Sequence, residues 1–266
     1  MQTGPLIFLH VPKTAGSTLH RIIRRHYRLA ELYHTDQQPD GWLAFQQWPE
    51  AKRADIRLLM GHVEMGAAAF LPRSAQYFTM LRDPVARAIS YYGHARRIRE
   101  HYCYEAIRRR QMSLAEFANS GIDVMMDNGQ TRMLAGVLYT VPYGELTPDH
   151  LQRARQNLET FVLVGLTERF DESLLLMRQL FGWRNIFYAE RNVSQHRLSV
   201  DEAARVAVTA VNQYDQALVA YGRELFANQW ATLGSEAVLH RFQRLNRLLR
   251  PLTYYGGEAA RLLTNG

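Results

Sequence analysis

Lys13 stands three residues before a glycine and a pair of hydroxyls, inside Phe8 to Leu19, FLHVPKTAGSTL. The order suits a grip on phosphate. Leu6, Ile7, Phe8, Leu9 and Val11 form an apolar strand that Pro12 closes, and Gly16, Ser17 and Thr18 open a helix. The first amides of such a helix lack intrahelical partners and lie at the positive end of its dipole, so they favour an anion. The two hydroxyls add donors, and Lys13 adds a full charge. Lysine and arginine together number 32, yet lysine occurs only at Lys13 and Lys52. A chain that otherwise uses arginine keeps its ammonium where a compact, mobile charge is wanted.

A second corner follows the same plan. Tyr77, Phe78, Met80 and Leu81 read as a strand ending in Arg82-Asp83-Pro84. Asp83 is placed to cap the next helix and Pro84 to start it. Between these corners, Arg57 to Val63 is an apolar run ending in Gly61-His62. Ligands of open parallel sheets sit beyond the strands' carboxyl ends, where a histidine is able to take a proton from a hydroxyl. Glu64, two residues on, is the fallback base or an orienting partner.

The nucleotide-triphosphate loop GxxxxGK[ST] is the obvious rival, but here lysine precedes the glycine. PKTAGST, Pro12 to Thr18, instead resembles the 5′-phosphosulfate loop of sulfotransferases that use 3′-phosphoadenosine 5′-phosphosulfate (PAPS). LRDPVARAISYY, Leu81 to Tyr92, resembles the 3′-phosphate motif of that family, with Arg82 and Ser90 in its arginine and serine positions. GHVEM matches the place where heparan sulfate 2-O- and 6-O-sulfotransferases and their bacterial relatives carry a histidine base, here His62. DNGQTRMLAG resembles an Asn-x-Gln-x-Arg segment of these enzymes and points Arg132 at cofactor or acceptor. Phe161 to Trp183 resembles the strand, Leu-Thr turn and helix near the adenine, which brings in Thr167; Asp171 is expected to cap that helix and Gly182 to end it.

The likeness runs from Leu6 to about Asn192 and is nearest to the 6-O branch, as a soluble, bacterial-type member without the Golgi anchors of the animal enzymes. It implies a P-loop NTPase-like sulfotransferase fold, PAPS as donor and the bisphosphate PAP as product. It further implies that Lys13, Thr14, Ala15, Gly16, Ser17 and Thr18, with Arg82, Ser90, Arg132 and Thr167, hold the nucleotide. His62 would act as base, while Lys13 neutralises the leaving phosphate oxygen. The acceptor hydroxyl it points to is a carbohydrate's, with lipid, phenol and tyrosine acceptors left open.

These residues need elements to position them. Five apolar strand candidates, Leu6 to Val11, Arg57 to His62, Gln76 to Leu81, Phe161 to Leu166 and Asn185 to Ala189, alternate with helical stretches. The alternation predicts an α/β fold with a central parallel sheet of about five strands flanked by helices. Ser113 with Glu116, Ser199 with Glu202, and Thr147-Pro148 mark helix starts. Residues 1–228 read as the α/β domain and 229–266 as a basic helical extension. In that extension Leu239, Phe242, Leu245, Leu248, Leu249 and Leu252 make one face and Arg241, Arg244, Arg247 and Arg250 another. Such a helix docks on its own domain, or rests on an anionic membrane or polyanion.

Other chemistry finds little support. HExxH, CxxC, EF-hand, GxSxG and GxGxxG patterns do not occur, and the 10 histidines show no ligand spacing, so no metal is expected. Cys103 is the single cysteine, which fits a reducing compartment. With no apolar run of about 18 residues and the phosphate loop close to residue 1, the expected location is cytoplasmic. The net charge of +7 calls for anionic partners in general. No nucleic-acid module appears, so nucleic acid is not an expected partner. His94 and His101 with Arg96, Arg97 and Arg99 read first as a solvated basic face, and next, with Arg108 to Arg110, as a hold for an acidic acceptor. Trp42, Phe45 and Trp48 either stack on sugars or fill core. Two other functions remain open: a non-catalytic protein binding PAPS or polyanions, and a nucleotide-dependent phosphotransferase.

Overall fold

The computed structural model describes residues 4–37, 41–63, 65–189 and 200–249. Strands β1 (Leu6–Leu9), β2 (Leu32–His34), β3 (Leu58–Gly61), β4 (Gln76–Leu81) and β5 (Leu163–Leu166) form one sheet in the order β2-β3-β1-β4-β5. Every pairing is parallel. β1, β3 and β5 are buried at every position. That is the pattern of a parallel sheet covered on both faces, and it explains why these strands read as continuous apolar runs.

The winding of the sheet locates the site. The chain goes from β1 to the edge strand β2, returns as β3 beside β1, and then crosses to β4 on the other side of β1. Direction therefore reverses between β1 and β4, and their carboxyl ends open a crevice at a topological switch point. Lys13 leaves one of these ends and Arg82 the other.

Helix signals place the flanking layers. Gly16–Ile23 buries Leu19, Ile22 and Ile23 along one stripe. Pro84–Ala95 starts as its sequence requires, with Asp83 Oδ1 accepting from the Ala86 amide at 2.9 Å and Pro84 in the first turn. The box at Ser113 and Glu116 forms as well. In the core, Phe8 of β1 stacks on Phe78 of β4, and the Trp183 ring packs edge-on to Phe78.

Several expectations need correction. Asn185 to Ala189 forms no strand, because Arg25 and His26 side chains take the Phe187 and Asn185 carbonyls that a ladder would use. The fifth strand is β2, whose three residues are too few to show alternation. Asp171 does not cap the Phe170–Phe181 helix; Arg169 holds that position, and Asp171 Oδ1 accepts from the Tyr188 hydroxyl at 2.8 Å. Asp201, accepting from the Ala204 amide, caps Glu202–Ala210, while Ser199 lies outside the described residues. Residue 228, expected to end the α/β domain, lies inside the Gln213–Leu233 helix, which ends at Gly234.

Residues 236–249 are helical. Leu239 and Phe242 are buried, Phe242 stacking on Phe187, whereas Leu245 and Leu248 are exposed. Arg250 and Leu252 fall outside the described residues. Phe45 is fully buried against Tyr33 and Trp48, so this aromatic group is packing. The Lys52 ammonium lies 3.4 Å from the centre of the Trp48 ring. Among the described residues no helix is long and apolar enough to cross a membrane.

Candidate active site

The Lys13 loop is tightly wound. Lys13 and Ala15 both take left-handed backbone conformations, with φ of 74° and 65°. For residues with a β-carbon this is a strained choice that surrounding contacts must enforce. Thr14 supplies one, its buried hydroxyl donating to the Val11 carbonyl at 2.8 Å. The Ala15 carbonyl supplies another by accepting from the Thr18 and Leu19 amides, both at 3.1 Å. A β-carbon at Gly16 would fall 1.9 Å from His10 Nε2, so only glycine lets the ring and the helix start pack together. Thr14 thus braces the loop from inside, while Ser17 is exposed at the helix start and Thr18 is buried behind it.

The two corners meet. Arg82 Nη1 donates to the Lys13 carbonyl at 3.0 Å, across 69 residues of sequence. Arg82 is itself held by Gln130, whose Oε1 accepts from the Arg82 amide at 3.0 Å and whose Nε2 donates to the Arg82 carbonyl at 2.9 Å. A side-chain amide here continues the hydrogen bonding beyond the end of β4. Gln130 is fixed in turn by Asp215, fully buried, whose two oxygens accept from the Gln130 and Thr131 amides at 3.1 and 2.7 Å. Sequence reasoning missed both positioning residues. The Asn-x-Gln-x-Arg segment was the available signal, and its working member is the glutamine.

Positive charge concentrates at this junction. The Lys13 pKa is pulled down from 10.5 to about 8, first by burial and then by Arg97 and Arg82. His94 is lowered to about 4 by burial, then by Lys13 and His101. Arg97, expected first on a solvated face, therefore adds to the positive charge around Lys13, while His94 and His101 lie near it as rings whose pKa values are lowered. Ser90 is half-buried on Pro84–Ala95 and shares a helix face with His94, four residues on. Like charges gathered around a partly buried ammonium destabilise one another, and an anion relieves them.

His62 stands at the end of β3, partly exposed. Its backbone amide donates to Asp36 Oδ1 at 2.8 Å, and its Nδ1 lies 3.2 Å from the same oxygen. The His10 ring lies beside it, nearly parallel, with centres 5.8 Å apart. Burial, and next the neighbouring His62, lower the His10 pKa to about 3, so His10 is neutral near pH 7. One donor atom each of His10, Asp36 and His62 lies within 4.8 Å of the others. The histidine spacing along the chain predicts no such cluster, because its members come from the ends of three separate strands. Glu64, the fallback base, lies outside the described residues.

Two other expected nucleotide residues, Arg132 and Thr167, differ in availability. Arg132 is fully buried: its Nε donates to the Asp127 carbonyl at 2.8 Å, one terminal nitrogen pairs with the Asp127 carboxylate and the Pro142 carbonyl, and the other reaches Val141. That guanidinium is committed to a local turn and is not brought to the Lys13 loop. Thr167 follows β5, the neighbour of β4, and its Oγ1 is buried with no hydrogen-bond partner among the described residues. The adjacent Glu168 Oε1 accepts from the Asp83 amide at 2.7 Å, joining the β4 and β5 corners.

The sequence model of the galactose-3-O-sulfotransferase family matches residues 2–260. The chain is 26% identical over 273 residues to human heparan-sulfate 6-O-sulfotransferase 1, covering 85% of this chain and 66% of that protein. It is 24% identical to human heparan-sulfate 6-O-sulfotransferase 3, covering 85% and 58% respectively. It therefore spans somewhat less than two thirds of the length of these relatives. Among solved structures, mouse sulfotransferase SULT7A1 complexed with PAP matches at a TM-score of 0.34 and 11% identity, over 80% of this chain and 65% of that one.

Proposed function

We infer the function from one premise: the chain belongs to the galactose-3-O-sulfotransferase family, and its site is built to move a sulfuryl group from PAPS to a carbohydrate hydroxyl. The observation that carries this reading is the junction of Lys13 and Arg82. Two anion-binding corners, one with an ammonium and one with a guanidinium, converge at a sheet switch point, as a donor phosphorylated at both its 5′ and 3′ ends requires.

The residues present fit such a donor. Lys13 sits beside Arg97 and Arg82, whose charge a bound anion would offset, and Thr167 Oγ1, without a hydrogen-bond partner among the described residues, offers a polar contact at the next strand end. The start of Gly16–Ile23, with Ser17 and Thr18, would hold the 5′-phosphate; Arg82 and Ser90 would hold the 3′-phosphate. When bound, PAPS supplies an activated sulfuryl group whose leaving group is a phosphate oxygen.

The chain's own residues do the rest. His62 takes the acceptor hydroxyl proton as the new oxygen–sulfur bond forms. Lys13 places its ammonium where negative charge grows on the phosphate oxygen as the old sulfur–oxygen bond breaks. Preorganised positive charge at such a point is usually the largest contribution to this kind of catalysis. The heparan-sulfate names of the relatives support a saccharide acceptor, and buried, unpaired Cys103 suits a reducing compartment such as the cytoplasm.

The test is transfer of labelled sulfate from PAPS to a panel of galactosides and glucosamine-containing oligosaccharides. Wild type is expected to label at least one sugar. Lys13→Ala and His62→Ala should lose transfer, the latter with PAP affinity kept. Labelling of phenols but of no sugar would refute the carbohydrate acceptor, and no labelling at all would refute the enzyme.

A further inference from the structure

Asp36 has no role in sulfuryl transfer as proposed, yet its carboxylate is fixed against the candidate base. Its Oδ1 accepts from the His62 backbone amide at 2.8 Å and from the Thr35 hydroxyl at 2.9 Å, and faces His62 Nδ1 at 3.2 Å. The first two contacts fix the oxygen independently of the imidazole. Only then does the ring meet it.

The backbone makes room for this approach. Gly61 has φ of 117°, a conformation that side chains rarely adopt. A β-carbon there would lie 2.2 Å from Thr35 Oγ1 and 2.8 Å from Asp36 Oδ1. The glycine before His62 is thus the opening through which the β2 corner reaches the β3 corner. Thr35 is buried, so the contact is anchored from the protein side.

We propose that Asp36 is a positioning residue for His62: its carboxylate holds the proton on Nδ1 and leaves Nε2 as the acceptor for the substrate's proton. A neutral imidazole carries one proton, and the nitrogen that keeps it is set by the hydrogen bond the other side of the ring makes. With Oδ1 beside Nδ1, the Nδ1–H tautomer gains a charge-assisted bond and the other tautomer sets a lone pair against a carboxylate. The proton from the acceptor hydroxyl then goes to Nε2, the hydroxyl oxygen bonds to sulfur, and the electron pair of the broken sulfur–oxygen bond stays on the 5′-phosphate. Asp36 itself gains and loses nothing. Its own pKa is held low: burial pushes it up, but the facing His62, the amide bond and Thr35 outweigh that. It is therefore ionised across the neutral range.

This rests on the assignment of His62 as base, and the test separates the two ideas. Nitrogen-15 imidazole spectra of the full chain, assigned with His62→Gln, read the tautomer without any acceptor. Wild type is expected to show Nδ1–H at His62, and Asp36→Asn to shift it toward Nε2–H. In transfer assays Asp36→Asn should lower kcat about 10²- to 10⁴-fold, the range for a lost or misplaced general base, with KM for PAPS and PAP affinity within about twofold. Unchanged PAP affinity shows that the variant is folded. An Nε2–H wild type, or an Asp36→Asn protein with wild-type tautomer and kcat, overturns the proposal. A wild type that transfers no sulfate removes the sulfotransferase reading, while the tautomer still decides the role of Asp36.

Discussion

The guanidinium of Arg82 donates to the main-chain carbonyl of Lys13 at 3.0 Å. This bond joins the loop after β1 to the loop after β4, so neither corner is set independently. It also leaves the remaining donors of Arg82 for a ligand and turns the Lys13 loop, strained at two left-handed residues, into one held from outside as well as within.

Arg82→Ala should therefore cost at least one charge-assisted contact to the nucleotide. A hydrogen bond to a charged group contributes roughly 1.5–3 kcal/mol, so PAP affinity is expected to fall by about 10- to 100-fold. Isothermal calorimetry reads this. An affinity within about twofold of wild type would show that Arg82 braces the loop without touching the nucleotide.

Lys13 makes nucleotide binding pH-dependent. Its pKa of about 8 in the free protein lies below its ordinary 10.5. In that window the folded chain holds fewer protons than the unfolded one, so stability rises with pH, and a bound anion restores the missing proton. PAP affinity should thus be constant below about pH 8 and fall above it, by up to about tenfold per pH unit, with proton uptake. Calorimetry in two buffers of different ionisation enthalpy measures the uptake. Lys13→Arg should flatten the profile, and a flat wild-type profile would contradict the burial of Lys13.

Acid should unfold the protein through its histidines. Burial lowers His10 to about 3 and His20 and His94 to about 4, and it lowers His34 as well. The His20 and His34 rings lie 4.5 Å apart, and among the described residues His20 Nε2 and His34 Nδ1 are buried without partners. Unfolded histidines take up protons near 6.5 while these wait for lower pH, so stability is complete above about 6.5 and lost as pH falls toward about 4. The urea midpoint should drop across that range, and less so in His20→Gln. A midpoint that stays level or rises would contradict the assignment.

Asp215 is expected to be the costliest position outside the loops. It accepts from two amides at the start of Gly129–Ala135 and lies 4.0 Å from the fully buried Arg87 guanidinium. Asp215→Ala strands that charge and frees Gln130, with a loss of about 3–5 kcal/mol in urea denaturation. A loss under about 1 kcal/mol would mean that Arg87 is compensated elsewhere.

Much of the candidate site was legible because each residue proposed to act ends an apolar run. Lys13, His62 and Arg82 follow β1, β3 and β4, and buried parallel strands leave continuous apolar sequence. Asp36 was hidden because β2 is three residues long and a polar stretch follows it. Arg132 misled for the opposite reason: an arginine in a matching motif looks available, and only its contacts with Asp127, Val141 and Pro142 show where it is spent. Asn185 to Ala189 has strand-like composition, but its carbonyls answer to Arg25 and His26. Pattern reports which residues are apolar; it does not report which side chains arrive from a distance to take a carbonyl or a carboxylate.

The claim that one nucleotide is clamped between the two corners is tested most directly by calorimetry with PAP, 5′-AMP and 3′-AMP, without magnesium, on wild type, Lys13→Ala and Arg82→Ala. Wild type is predicted to prefer PAP over either monophosphate. Arg82→Ala should erase the preference over 5′-AMP, which lacks the 3′-phosphate, and Lys13→Ala the preference over 3′-AMP. Equal losses for all three ligands in both variants, or a wild type indifferent to the 3′-phosphate, would contradict the clamp.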